Sequence, residues 1–270
     1  LYEGFSAVGA ATFDAYVRSW TVVLAILCGL LVLLGVYHVR ALPAGGGAAE
    51  RHSLRDGLSG LKEVVGAFFQ KKHIWYYLGF IILYRLGEGF VMKIVPLFLK
   101  ADTASGGLGL TNQQIGLYYG TFGAGAFLLG SLLAGYYIAH RGLRRTLFIL
   151  CCIFNIPFAV YALLAWLQPQ SMWIVGGGIV LEYFGYGFGF VGLTLFMMQQ
   201  VAPGRHQMAH YAFASGIMNL SVMLTGAVSG YLSDALGYGM FFLAVMLATV
   251  PAFLVTWFVP FTYDDKPNDK

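Results

Sequence analysis

Seven long apolar stretches dominate this chain, at residues 20–37, 74–99, 113–139, 146–167, 172–199, 208–232 and 239–260. Each is close to the length that crosses a hydrocarbon core of about 30 Å at about 1.5 Å per helical residue. Of the 270 residues 59% are hydrophobic and 10% charged, against about 25% charged in soluble domains. A water-soluble fold is thereby excluded. The runs are unbroken and lack the two-residue alternation of a transmembrane β-barrel. The expected class is an all-α membrane protein with seven transmembrane helices. Turn-forming residues punctuate the connections: Gly106-Gly107 with Asn112, Gln168-Pro169, Pro203-Gly204 and Gly237.

The basic residues orient the chain. Arg40, Arg51, Arg55, Lys62, Lys71, Lys72, Arg141, Arg144, Arg145, Arg205, Lys266 and Lys270 fall in connections on one side, and Arg18 and Lys100 on the other. Positive loops stay cytoplasmic. The N-terminus is therefore expected outside and the C-terminus inside. The same asymmetry accounts for the net charge of +4 without nucleic acid as a partner. Cys28, Cys151 and Cys152 lie within or beside apolar runs and read as small core residues, with no disulfide framework or zinc spacing.

The expected organisation is an external segment at 1–19, one helix at 20–40, a cytoplasmic linker at 41–73, six helices over 74–260 and a cytoplasmic tail at 261–270. Within the linker, Leu54, Leu58, Leu61, Val65, Phe68 and Phe69 recur at spacings of three and four, the signature of an amphipathic surface helix. The chain opens with Leu1, and residues 1–18 lack the regions of a signal peptide. We expect a piece of a longer protein whose preceding N-terminal helical domain ends in the 20–40 helix. Six helices after a long cytoplasmic connector fit the second half of a secondary transporter. Such a half is built from two inverted three-helix repeats, here 74–167 and 172–260.

Ionisable residues inside the spans are few: Arg85, Glu88 and Lys93 in the second, and Glu182 in the fifth. Each costs about 2.5–3.5 kcal/mol to insert, so such residues face a partner, the bundle interior or a wet cavity. Glu88 and Glu182 lie about 16 Å and about 15 Å from the outer ends of their helices at helical rise, so both carboxyls sit near the midplane. Each opens one of the two expected repeats. Tyr84, Arg85 and Glu88 share a helix face on which Arg and Glu can pair, and Gly87 and Gly89 loosen that helix. Glu182, Gly185, Tyr186 and Gly189 form a second stripe. The pattern marks Glu88, Arg85 and Glu182 for proton coupling, and Tyr84, Glu182, Tyr186, Asn155 and Asn219 for binding a solute. The plainer alternative is a structural ion pair plus interhelical hydrogen bonds. Lys93 points away from Glu88 and reads as a snorkelling side chain. Gly116, Gly120, Gly130, Gly135, Gly226 and Gly230 are read as sites of close helix packing.

Three motifs carry no function in this context. Gly187-x-Gly189-x-x-Gly192 has dinucleotide spacing, but sits inside a membrane run with no preceding strand. His206 and His210 have metal-pair spacing without an acid nearby in sequence. Asn219-Leu220-Ser221 matches a glycan acceptor but falls mid-membrane. No cofactor is expected.

With these residues in view, the chain resembles the major facilitator superfamily, and within it the muropeptide permease group. Tyr84-Arg85-Leu86-Gly87-Glu88-Gly89-Phe90 is similar to that group's Tyr-x-Leu-Gly-acid motif. Glu182 with Gly185, Gly187 and Gly189 resembles its Glu-then-glycine helix, and His210-Tyr211-Ala212-Phe213 its Gln-Tyr-Ala-Leu stretch. Gly135 to Arg145 resembles a degenerate copy of the superfamily's Gly-x-x-x-Asp-Arg-x-Gly-Arg-Arg loop, with Ala139 and His140 in place of the Asp and Arg. Gly230 to Tyr238 resembles a common ending of the penultimate helix. The resemblance implies that residues 74–260 form the C-terminal six-helix domain of a major facilitator fold. It also implies proton-driven import of a muropeptide or other sugar-containing solute, by alternating access, across a bacterial inner membrane. Two other readings stay open: a membrane enzyme acting on lipid-linked sugars or acyl groups, which would need a His, Asp or Cys constellation, and a seven-helix sensor.

Overall fold

In the computed structural model, residues 12–42 and 54–263 are described, and the chain divides into two units between residues 53 and 54. The described part of the first unit is helix α1 (Thr12–Ala41), with Asp14 in its first turn and His38 and Arg40 in its last, the charge placement that a helix dipole favours. It starts at Thr12, so residues 12–19, expected as external chain, are helical. Residues 1–11 lie outside the described residues. Leu24, Leu31, Val32 and Leu33 are all exposed, so α1 presents apolar side chains on its surface.

The second unit opens with α2 (Leu54–Phe69), the expected amphipathic helix. Linker residues 43–53 and the side chains of residues 54–59 lie outside the described residues. Of the apolar stripe beyond them, Phe68 is buried while Leu61 and Phe69 are exposed. Phe68 packs edge-on against Phe213, with ring centroids 5.5 Å apart. The unit continues as α3 (Ile74–Tyr84), α4 (Leu86–Lys100), α5 (Asn112–Arg141), α6 (Leu143–Leu167), α7 (Met172–Val201) and α8 (Gln207–Trp257). Among the described residues, five helices are long and apolar enough to cross a membrane: α1, α5, α6, α7 and α8.

This differs from seven separate spans in two places. The 74–99 run is not one helix, because Arg85 breaks it into α3 and α4 with φ −101° and ψ 8°. The break falls where the Arg85 side chain folds onto Glu88 and where Gly87 and Gly89 lower the helix propensity of the next turn. The last two runs form one helix in name only. Gly237, at φ 71° and ψ 160°, is not helical. A straight helix of 51 residues would span about 76 Å, yet the chain just after α8 bonds to Gln200, just before it. Just before α8, the carbonyls of Val201 and Pro203 accept from Lys71 Nζ at 2.6 and 2.7 Å. Just after it, Thr262 N and Tyr263 N donate to Gln200 Oε1 at 2.8 and 3.1 Å. The chain therefore turns back at Gly237, where only a residue without a Cβ takes that φ readily.

Smaller irregularities also have local causes. A capping box between Thr111 and Gln114 starts α5, which then widens into a π-helical turn over Gly116–Phe122. Pro157 tightens α6 into a 3₁₀ turn over Ile156–Phe158. Helix α7 packs against α5 and α6, while α3 and α4 pack against α8. Its glycines permit this approach. A Cβ on Gly187 would meet the carbonyl oxygen of Phe127, and one on Gly189 would lie 2.7 Å from that of Leu150. The nucleotide-like glycine spacing is thus a packing surface. Of the glycines expected to mediate packing, a Cβ on Gly130 would meet the backbone of Phe184, and one on Gly226 would lie 3.1 Å from Lys93 Cγ. Gly116, Gly120, Gly135 and Gly230 face open space.

Candidate functional site

Glu88 sits in the first turn of α4, directly after the break. Arg85, at the break itself, folds over it and donates two parallel hydrogen bonds, Nε to Oε2 and Nη2 to Oε1. Both are 4% exposed. The fork geometry satisfies both carboxylate oxygens at once, and the guanidinium carbon lies 5.3 Å from the centre of the Phe190 ring.

Glu182 lies midway along α7 and is 6% exposed. Its hydrogen-bonding neighbour is Tyr161 on α6, whose hydroxyl donates to Oε2 at 2.8 Å. Helix α6 turns just before Tyr161, at Pro157, and Gly185 of α7 lets that turn approach closely. A Cβ there would lie 2.7 Å from Pro157 Cγ. Glu182, one turn earlier on α7, therefore faces Tyr161.

The two carboxyls line one cavity. Its volume is about 30 Å³, and Val91, Met92, Tyr119, Tyr161, Tyr183 and Tyr186 complete its wall. Tyr119 and Tyr183 meet edge to face at 4.9 Å. A polar space of this size holds one or two waters. It is an order of magnitude smaller than the roughly 300–1,000 Å³ of a small-molecule pocket.

The other residues singled out in the sequence lie elsewhere. Tyr84 is fully buried and donates to the Gly189 carbonyl at 2.9 Å, tying α3 to α7. Asn155 is fully buried, and its Nδ2 donates to the Cys151 carbonyl at 3.1 Å. Asn219 lies on an exposed face of α8. Lys93 is exposed. Cys151 is buried, Cys152 partly so and Cys28 exposed, so only Cys151 is a core residue outright. His210 is buried, with Nε2 donating to the Val64 carbonyl at 3.1 Å. Glu63 Oε1 lies 3.7 Å from His206 Nε2, an acid that the local sequence does not show, but no group of three metal-type ligands occurs among the described residues. Sequence reasoning missed Tyr161 altogether.

Residues 80–270 match the Major Facilitator Superfamily. The chain belongs to this superfamily. It is 26% identical over 188 residues to the anhydromuropeptide permease of Escherichia coli (strain K12), covering 70% of this chain and 37% of the relative. It is 24% identical over 195 residues to the putative transporter AmpG 2 of Rickettsia bellii (strain RML369-C), covering 71% and 46%. The chain thus spans less than half the length of these relatives. The sequence resemblance is met at the level of the family and of its permease-named members. These are transporters and not enzymes, so the membrane-enzyme alternative loses its ground, and the protein is a multi-pass membrane protein.

Proposed function

We propose that the chain forms the C-terminal part of a proton-coupled importer for a muropeptide or related sugar-containing solute. The observation that carries this reading is that Glu88 and Glu182, from α4 and α7, line a single buried cavity of about 30 Å³. A charge within a membrane is retained for a use, and here two acids share one water-sized space. The roles divide by partner. Arg85 engages both oxygens of Glu88, so this pair is a charge-compensated unit. Among the described residues Glu182 has a phenol and no cation bonded to it, which makes it the group that gains and loses the proton. A cavity this small admits water and protons but no sugar, so Glu182 and Tyr186 touch the solute only in a conformation where α4 and α7 separate. Tyr84 and Asn155 then act through the helices that they tie.

The packing supports the two-repeat reading: α4, from the first repeat, lies on α8 of the second, and α7, from the second, lies on α5 of the first. We place seven crossings in the described chain, α3 with α4 forming one and α8 two. The basic connections lie in the cytoplasm of a cell with a bacterial inner membrane, and the N-terminal helical domain is supplied by further chain.

Uptake into proteoliposomes holding the full gene product tests the reading. An acid-outside gradient should drive accumulation of an anhydromuropeptide in preference to chitooligosaccharides or small sugars, and a protonophore should abolish it. Glu182→Gln should lose accumulation while keeping counterflow exchange, and the surface control Glu63→Gln should keep both. Accumulation that survives the protonophore, or that falls equally in both variants, would remove these acids from the mechanism.

A further inference from the structure

We propose that Tyr161 is a positioning residue that fixes which oxygen of Glu182 carries the proton. The inference rests on the transport reading above and adds a residue to it. Tyr161 is fully buried, and its ring stacks on Phe242 of α8 with centroids 5.7 Å apart and planes 30° from parallel. The Pro157 turn behind it is locked against Gly185. The phenol is therefore held from both sides, and its hydroxyl has one proton to give, which it gives to Glu182 Oε2 at 2.8 Å.

A hydroxyl donating to one oxygen of a carboxyl leaves the other oxygen as the seat of the acid proton. When Glu182 is protonated the proton sits on Oε1, and when Glu182 is ionised Tyr161 stabilises the anion by a charge-assisted bond. The phenol keeps its own proton in both states. The transported proton arrives from and departs to water in the cavity that Glu182 shares with Glu88. Without the hydroxyl the carboxyl is unanchored and the ionised form loses its one bonded donor.

Tyr161→Phe keeps the ring and its stacking on Phe242 and removes only the hydroxyl. In the full gene product it should lower proton-driven accumulation about tenfold, as expected for loss of a hydrogen bond to a charged group. The pH of half-maximal accumulation should move by about one unit, with counterflow exchange intact. Phe242→Leu, which disturbs the stack and spares the hydroxyl, should lower accumulation and counterflow together. Equal loss of accumulation and counterflow in Tyr161→Phe would make Tyr161 merely structural and overturn the inference. So would wild-type accumulation in Tyr161→Phe beside a Glu182→Gln variant that has lost it. If Glu182→Gln itself accumulates solute, the transport reading falls first and the inference with it.

Discussion

Glu88 and Glu182 are buried to nearly the same degree, yet among the described residues only Glu88 is bound by a cation. The difference has a measurable consequence for folding. Neutralising one member of a buried ion pair leaves the other charge without compensation, at a cost of about 3–5 kcal/mol. Neutralising an acid that has only a phenol for company costs no such stranded charge. Glu88→Gln should therefore lower the thermal midpoint of the detergent-solubilised full gene product well below that of Glu182→Gln. Pairing Glu88→Gln with Arg85→Gln should recover much of the loss. Equal midpoints for the two single variants would show that the bidentate pair contributes nothing special. The ion pair was legible in the sequence because a spacing of three positions lets Arg and Glu meet. Tyr161 was not legible. A tyrosine within an apolar run carries no periodic signal, and its partner lies 21 residues away on another helix.

At the scale of elements, the glycines of α5 and α7 separate into those that set helix distance and those that do not, a distinction that spacing alone does not make. Gly187 of α7 and Gly135 of α5 both belong to small-residue patterns in the sequence. Only Gly187 faces a neighbouring backbone, the carbonyl of Phe127, while a Cβ on Gly135 would meet nothing within 4 Å. A main-chain carbonyl cannot rotate away as a side chain can, so Gly187→Ala must push α5 and α7 apart, with a cost of about 1–3 kcal/mol. Gly135→Ala should be neutral or should stabilise by up to about 1 kcal/mol through helix propensity. Thermal midpoints of the two variants check this directly, and a Gly187→Ala protein as stable as Gly135→Ala would refute the close approach. The break at Arg85 escaped the sequence reading for a related reason. The spacing of Tyr84, Arg85 and Glu88 suits a continuous helix, and the interruption falls at Arg85 itself, with φ −101° and ψ 8°, beside the low-propensity Gly87 and Gly89.

The whole molecule is organised by what meets at one end of the second unit. Lys71, after α2, donates to the last carbonyls of α7 and its loop. Gln200 binds the backbone of Thr262 and Tyr263, Tyr77 at the start of α3 pairs with Thr262 Oγ1 at 2.6 Å, and Arg144 at the start of α6 lies over Phe261 at 5.9 Å. The start of α3, the start of α6, the end of α7 and both ends of α8 thus share one side, the side whose basic connections we propose to face the cytoplasm. A 51-residue helix read as a single crossing would put Gly204 and Thr262 on opposite faces of the membrane, whereas the turn at Gly237 puts them on the same face. Single cysteines introduced at Gly204, Thr262, Gly106 and Leu236, in a protein with Cys28, Cys151 and Cys152 replaced, distinguish the two. An impermeant maleimide added to intact cells should label the Gly106 and Leu236 positions, and should reach Gly204 and Thr262 only in inverted vesicles. Labelling of Gly204 and Thr262 from opposite sides would dismantle the hairpin. It would also undo the pairing of α4 with α8 and α7 with α5 as equivalent contacts, and so the argument that Glu88 and Glu182 occupy matching positions in two inverted repeats.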